Sequence, residues 1–390
     1  MVNIHLVLTD DWELCGDGSG NMRRIQFDTM RQLVNLYDRF SFKGSFNVEV
    51  MQQLYHLRYG RDYPVLLELA EEWEALVKEI YARGHDVQLH VHPQWHKAHY
   101  ENGQWYLNKR WSILDYAYED VLHILTTCKQ YLEALLQPLQ IHYRCVAYRS
   151  GSWFLAPSEH VLPILANLGV ICDMSIVRGL YFDLEMGALD YREIDEPFLP
   201  FYPQMHDARR VAASVQPIVC VPTHSVRWGP ASALLNIVKK TITKAPSWSL
   251  PESLRTYLLP PNATPISGSG IAQNYYQEQW GSNTSRGDWM RKLTAFLTSR
   301  ADRVSDLSAL SYLEMRAIIQ DIRRRANASR WPIVPVILEN HTKNIGDFRP
   351  LERFCSYLSH APDVAVITTR DLVANIRAGM YPIRRGEGTR

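Results

Sequence analysis

A chain of 390 residues, 46% hydrophobic and 21% charged, is ordinary globular material, long enough for one large α/β domain, and its composition excludes a disordered protein. Its 42 Lys and Arg stand against 41 Asp and Glu, so the overall field indicates no nucleic-acid or anionic-membrane partner. No run of about 18 apolar residues occurs, so no membrane-spanning helix is expected.

The first segment, MVNIHLVLTDDWE, enters a strand at once and ends in acids. It lacks the basic start, long apolar run and small-residue cleavage site of a signal peptide, which makes a cytoplasmic location the expectation. Further strand segments follow in order: KGSFNV near residue 43, DVQLHVH near 86, RCVAYR near 144, GVICDM near 169, PIVCVP near 217, PIVPVIL near 332 and VAVITT near 364. Between them, amphipathic helical stretches are predicted over Gln26–Arg39, Tyr63–Arg83, Tyr116–Gln137 and Glu159–Leu168. In the second of these, Leu66, Leu69, Ala70, Trp73, Leu76, Val77 and Ile80 form an apolar stripe opposite Glu68, Glu71, Glu72 and Glu74, with Gly84 as a stop. Strands alternating with helices predict an α/β fold, a distorted (β/α) barrel of about seven strands.

From about Ser225 the rhythm changes. A helix near Ala231, a Pro-, Gly- and Ser-rich loop (LPPNATPISGSG) and further helical runs read as an inserted helical lid over about residues 225–331, within a single domain spanning 1–390. The six cysteines are scattered without CxxC spacing, so buried, reduced thiols are expected.

Four segments carry chemistry. The first strand ends in Thr9, Asp10, Asp11, Trp12 and Glu13, which puts adjacent carboxylates at the rim where barrels of this kind place their sites. One acid can bind a cation while its ionised neighbour takes a proton from water; a solvated acidic turn is the bland alternative. The stretch GHDVQLHVHPQWH gathers His85, His90, His92 and His96 in a chain holding 14 His. Residues two apart on a strand share a face, so His90 and His92 can offer nitrogens to one ion, and Pro93 ends the strand behind them. A pair of structural histidines is the alternative. In AYRSGSW, Arg149 can hold a neighbouring aspartate ionised, Gly151 lets substrate approach the backbone, and Trp153 can stack on a sugar. Trp12 and His224, both at strand ends, are further candidates to line the site. Finally, LENHTKN sets His341 just past a late strand, placed to protonate a departing amine.

In this order the segments resemble the polysaccharide deacetylase family, also called chitooligosaccharide deacetylase or carbohydrate esterase 4 type. TDD is similar to the family's TFDD, which implies Asp10 as general base and Asp11 as metal ligand. GHDVQLH is similar to GHExxxH and implies His90 as a ligand. YRSGSW resembles the arginine motif, with Arg149 orienting the base, and LENHTKN resembles the last motif, with His341 as general acid. KGSFNV and LGVICDMS resemble the family's second strand and the segment after its third motif. The resemblance spans residues 1 to about 224 and 332–376.

The family usually spaces its ligands as HxxxH, and here Gln94 stands four after His90. His92 is taken as the second histidine, with His92 and His96 as the alternative pair and Glu13 as the alternative to Asp11. The resemblance implies a divalent metal, with Zn²⁺ expected, and removal of an N-acyl group, acetyl foremost, from an amino sugar or glycan precursor. Deformylation or hydrolysis of another C–N amide at the same site, and a noncatalytic glycan-binding protein, are the competing readings.

Overall fold

In the computed structural model, residues 2–184, 187–228, 242, 251–263, 266, 301–329 and 331–386 are described. Each of the eight strand segments expected from the sequence contributes to one parallel sheet: β1 (Asn3–Trp12), β2 (Ser45–Glu49), β3 (Asp86–Val91), β4 (Ala147–Ser150), β5 (Cys172–Asp173), β6 (Val219–Cys220), β7 (Ile333–Leu338) and β8 (Val364–Ile367). Seven of them run in the order β6-β5-β4-β3-β2-β1-β7, and β8 pairs with the first half of β1. A parallel bridge from Thr223 to Ile337 joins the segment after β6 back to β7, so the sheet curls into a distorted (β/α) barrel.

Both faces of the sheet are covered: β7 (IVPVIL) reads as a continuous apolar run, whereas β2 (SFNVE) and β3 (DVQLHV) alternate, with buried polar residues on the barrel side. On β1, Ile4, Leu6 and Leu8 join the large core beneath the outer helices, while Val7 faces a second cluster with Ala147, Cys172, Val219 and Ile337. Leu372, Val373 and Ile376 of the helix Thr369–Arg377 complete that second cluster and plug the lower end of the barrel. Above this plug the interior positions turn polar: Thr9, Asn47, Glu49, His90, Arg149 and Glu339 are all at most 1% exposed.

The expected helices form as Thr29–Arg39, which continues from a π-helical turn at Arg23–Asp28, and as Pro64–Ala82, Tyr118–Leu136 and Val161–Asn167. The helix Val50–Tyr59 was not legible in the sequence, because its buried positions include Gln52, Gln53 and His56 and draw no apolar stripe. All six cysteines are free, five of them buried. No helix among the described residues is long and apolar enough to cross a membrane.

The expected lid falls largely outside the described residues, as does the helix expected near Ala231. Of its described parts, Ser225–Trp228 pairs antiparallel with Ala301–Val304, and Glu252–Leu258 is helical. The helix Tyr312–Ser329, which the sequence reading included in the lid, buries Met315, Ile318, Ile319 and Ile322 in the main core. It leads into β7 as an outer barrel helix does.

Candidate metal centre and active site

Alternation along β1 divides its acids. Asp11 and Glu13 face the barrel interior with Thr9, whereas Asp10 and Trp12 point to the other side of the strand. Trp12 is fully buried, stacks on Trp73 with ring centroids 5.5 Å apart, and donates its indole N–H to the Gln26 carbonyl at 2.9 Å. It is a core residue, not the substrate contact that its strand-end position suggested. The Asp10 carboxylate accepts from Asn340 Nδ2 at 2.6 Å and from the Thr342 N–H and hydroxyl at 3.1 Å each. Burial pushes Asp10 up to about 7, against the His341 charge and these hydrogen bonds. Asp10 thus fastens the turn after β7.

Glu13, rather than Asp11, is the acid that meets the two histidines. Its Oε2 lies 3.0 Å from His90 Nε2 and also contacts His92 Nε2, while Oε1 pairs with Lys343 Nζ. The ligand atoms of Glu13, His90 and His92 all lie within 4.8 Å of one another, and all three residues are buried. Burial works against an ionised Glu13, but the His92 and Lys343 charges and the histidine hydrogen bonds hold it well below its usual value. His96 stands elsewhere, its Nε2 3.6 Å from Asp120 and its ring edge-on to Tyr116. His85 sits at the start of β3, accepting from the Gly44 N–H and facing Asp38.

Several groups orient this trio. His90 Nδ1 donates to the Arg149 carbonyl at 2.9 Å, which directs Nε2 toward Glu13. Glu49 accepts from the His92 backbone N–H at 2.8 Å with one oxygen and caps the helix Val50–Tyr59 with the other. Gln94 meets His92 Nδ1 at 2.9 Å through Nε2, and its own Oε1 is buried without a partner. Turning that amide over gives Oε1 the Nδ1–H of the His92 tautomer whose Nε2 lone pair is free to ligate. Gly151 packs closely behind this group: a Cβ there would lie 2.9 Å from the His92 ring and 2.8 Å from the Val91 carbonyl. A carboxylate and two imidazoles, oriented in this way, fit a divalent ion such as zinc.

Beside the trio, Asp11 accepts from Asn47 at 2.8 Å, and its other oxygen lies 3.4 Å from the Arg149 guanidinium. Arg149 also reaches Glu339 at 3.0 Å and Thr9 at 3.3 Å, so the acid it holds is Asp11 and not Asp10. Burial opposes ionisation of Asp11, but Arg149, with His90 and His341, keeps it well below the usual carboxylate range. Glu339 is raised well above its usual value by burial and by the adjacent Asp11 charge. Asp11, Glu339 and His341 form a second close group, in which Arg149 already supplies the counter-charge.

His341 completes the rim. Its Nδ1 lies 2.9 Å from Asp306 Oδ2, and its Nε2 lies 3.6 Å from Glu339 and 4.0 Å from Glu13. Burial would lower its pKa, but Asp306 and Glu339 push it up to about 10. The Trp153 ring stands edge-on to it at 6.3 Å, carried on two left-handed residues, Ser152 (φ 52°) and Trp153 (φ 60°). His224 bonds Ser305 at 2.7 Å and stacks on Phe198, which leaves it out of the Glu13 cluster. Glu339, Lys343, Glu49 and Asp306 escaped sequence reasoning. The first two sit in LENHTKN on either side of His341, where an acid and a lysine were available as signals; Asp306 carries none.

No protein-family model matches the chain, and no curated protein does. Solved structures similar to it include a Mycobacterium smegmatis protein assigned as a polysaccharide deacetylase, at 13% identity and a TM-score of 0.48, over 100% of this chain and 95% of that one. A Pseudomonas aeruginosa protein with the same assignment matches at 10% identity and a TM-score of 0.46, over 97% and 92%. The allantoinase Puue matches at 9% identity and a TM-score of 0.46, over 97% and 91%.

Proposed function

We propose that the protein is a divalent-metal-dependent hydrolase that removes an N-acyl group, acetyl foremost, from an amino sugar or glycan precursor. The observation that carries this reading is the meeting of Glu13, His90 and His92 between an Arg-held aspartate, Asp11, and an Asp-backed histidine, His341. In it, Glu13, His90 and His92 hold the ion, zinc being the expected one. When bound, the ion supplies Lewis-acid polarisation of the amide carbonyl and activation of water.

The side chains do the rest. Asp11, kept ionised by Arg149, takes the proton of the attacking water. Arg149 and Asn47 fix the direction of that carboxylate. His341, protonated and held by Asp306, donates to the departing amine nitrogen, so that the C–N bond breaks to release carboxylic acid and free amine. Trp153, beside His341, offers an aromatic face to the sugar ring. These assignments shift the base from Asp10 to Asp11 and the acidic ligand from Asp11 to Glu13.

The test is acyl release from a panel of N-acetylated and N-formylated amino sugars by zinc-loaded protein. Asp11→Asn abolishes turnover while keeping the ion, and Asp10→Asn keeps turnover in whatever fraction remains folded. Turnover lost only in Asp10→Asn returns the base to Asp10; formate release alone makes the protein a deformylase. No release from any member rejects the hydrolase reading and favours the glycan-binding one.

A further inference from the structure

Lys343 is buried among the groups assigned to catalysis, and the reaction above gives it no task. It is 3% exposed and lies in the turn Thr342–Asn344, whose first residue is tied to Asp10 through both its N–H and its hydroxyl. The backbone that carries the ammonium is therefore anchored. The ammonium pairs with Glu13 Oε1 and donates to the Leu14 carbonyl at 3.3 Å.

The two oxygens of Glu13 are thus divided: Oε2 faces His90 and His92, and Oε1 is covered by a cation. Two consequences follow for an ion held by Oε2 and the two imidazoles. Glu13 can offer it one oxygen only, because bidentate ligation requires Oε1 to leave the ammonium. An ion held there would also lie beside the Lys343 charge among buried groups, where like charges repel strongly.

We propose that Lys343 sets the affinity of the Glu13, His90 and His92 site for its divalent ion, restricting Glu13 to one-oxygen ligation and keeping the ion exchangeable. The inference rests on reading those three residues as the metal ligands.

The test measures Zn²⁺ dissociation constants of the full-length protein by competition with a chromophoric chelator. Wild type is compared with Lys343→Met, which keeps the stem and removes the charge, with Lys343→Gln, which stays neutral but can still donate to Glu13, and with Lys343→Arg, which keeps the charge. Folding of each is checked first by circular dichroism, and either neutral variant suffices if the other fails to fold. The neutral variants bind Zn²⁺ at least about tenfold more tightly than wild type, and Lys343→Arg stays within about threefold of it. Neutral variants that bind equally or more weakly overturn the role of Lys343 while leaving the metal centre standing. Absence of Zn²⁺ binding in every variant, wild type included, overturns the metal centre itself and this inference with it.

Discussion

Nε2 of His90 lies 3.0 Å from Oε2 of Glu13, across 77 residues of sequence. The contact spans β2, whose Asn47 is in register with Asp11 on one side and whose Glu49 is in register with His90 on the other. Three adjacent parallel strands thus end with their interior side chains converging at one rim, where β7 adds Glu339 and His341.

Gly151 tests how tightly this rim is packed. A methyl group there meets the His92 ring at 2.9 Å and a backbone carbonyl at 2.8 Å, and neither can yield without moving a proposed ligand. Gly151→Ala is expected to cost about 1–3 kcal/mol of stability and to weaken Zn²⁺ binding, as read by thermal melts and chelator competition. Unchanged affinity would separate His92 from the metal.

The pairing of His341 with Asp306 predicts a pH signature. Asp306 raises the His341 pKa, to about 10, in spite of burial, so the acid keeps its proton until the solution is strongly alkaline. Asp306→Asn removes that support, and the alkaline fall in kcat/KM moves to lower pH by about one unit or more. An alkaline limb that does not move assigns the proton to another group.

Ion affinity should depend on pH with a definite sign. Burial disfavours the His90 cation, yet the Asp11 and Glu13 charges raise its pKa to about 9. The proton must leave Nε2 before that nitrogen can ligate, so binding tightens as pH rises toward 9 and weakens about tenfold for each unit below it. Titrations at about pH 6 and about pH 8 with equal affinities would contradict this.

The two tryptophans should separate stability from activity. Trp12→Ala removes a fully buried ring stacked on Trp73 and is expected to cost about 3–5 kcal/mol in denaturant unfolding. Trp153→Ala, at the His341 edge, lowers kcat/KM at a much smaller cost in stability. The reverse pattern would make Trp153 the core residue.

Much of the barrel was legible because doubly covered parallel strands leave apolar-rich runs such as IHLVLT and PIVPVIL, while DVQLHV marks a strand by its two-residue alternation. The same two-residue period made His90 and His92 face-mates. Applied to TDDWE, that period also pairs Asp11 with Glu13 and separates Asp10 and Trp12 from both, whereas reading the adjacent acids as one unit led to Asp10 and Asp11. The roles of Glu339, Lys343 and Asp306 were not legible, because they arise from burial and from neighbours that only the closed barrel supplies. Gln94 looked like a lost ligand in HxxxH, but its amide supports His92 from the side.

Metal content of the purified full-length protein after incubation with zinc tests the central claim most directly. About one ion per chain is expected in wild type, in Asp10→Asn and in His96→Ala, and loss of the ion in Glu13→Gln, His90→Ala and His92→Ala, each shown to be folded. Retention of the ion in Glu13→Gln and His92→Ala, or a wild-type protein that takes up none, would contradict the account.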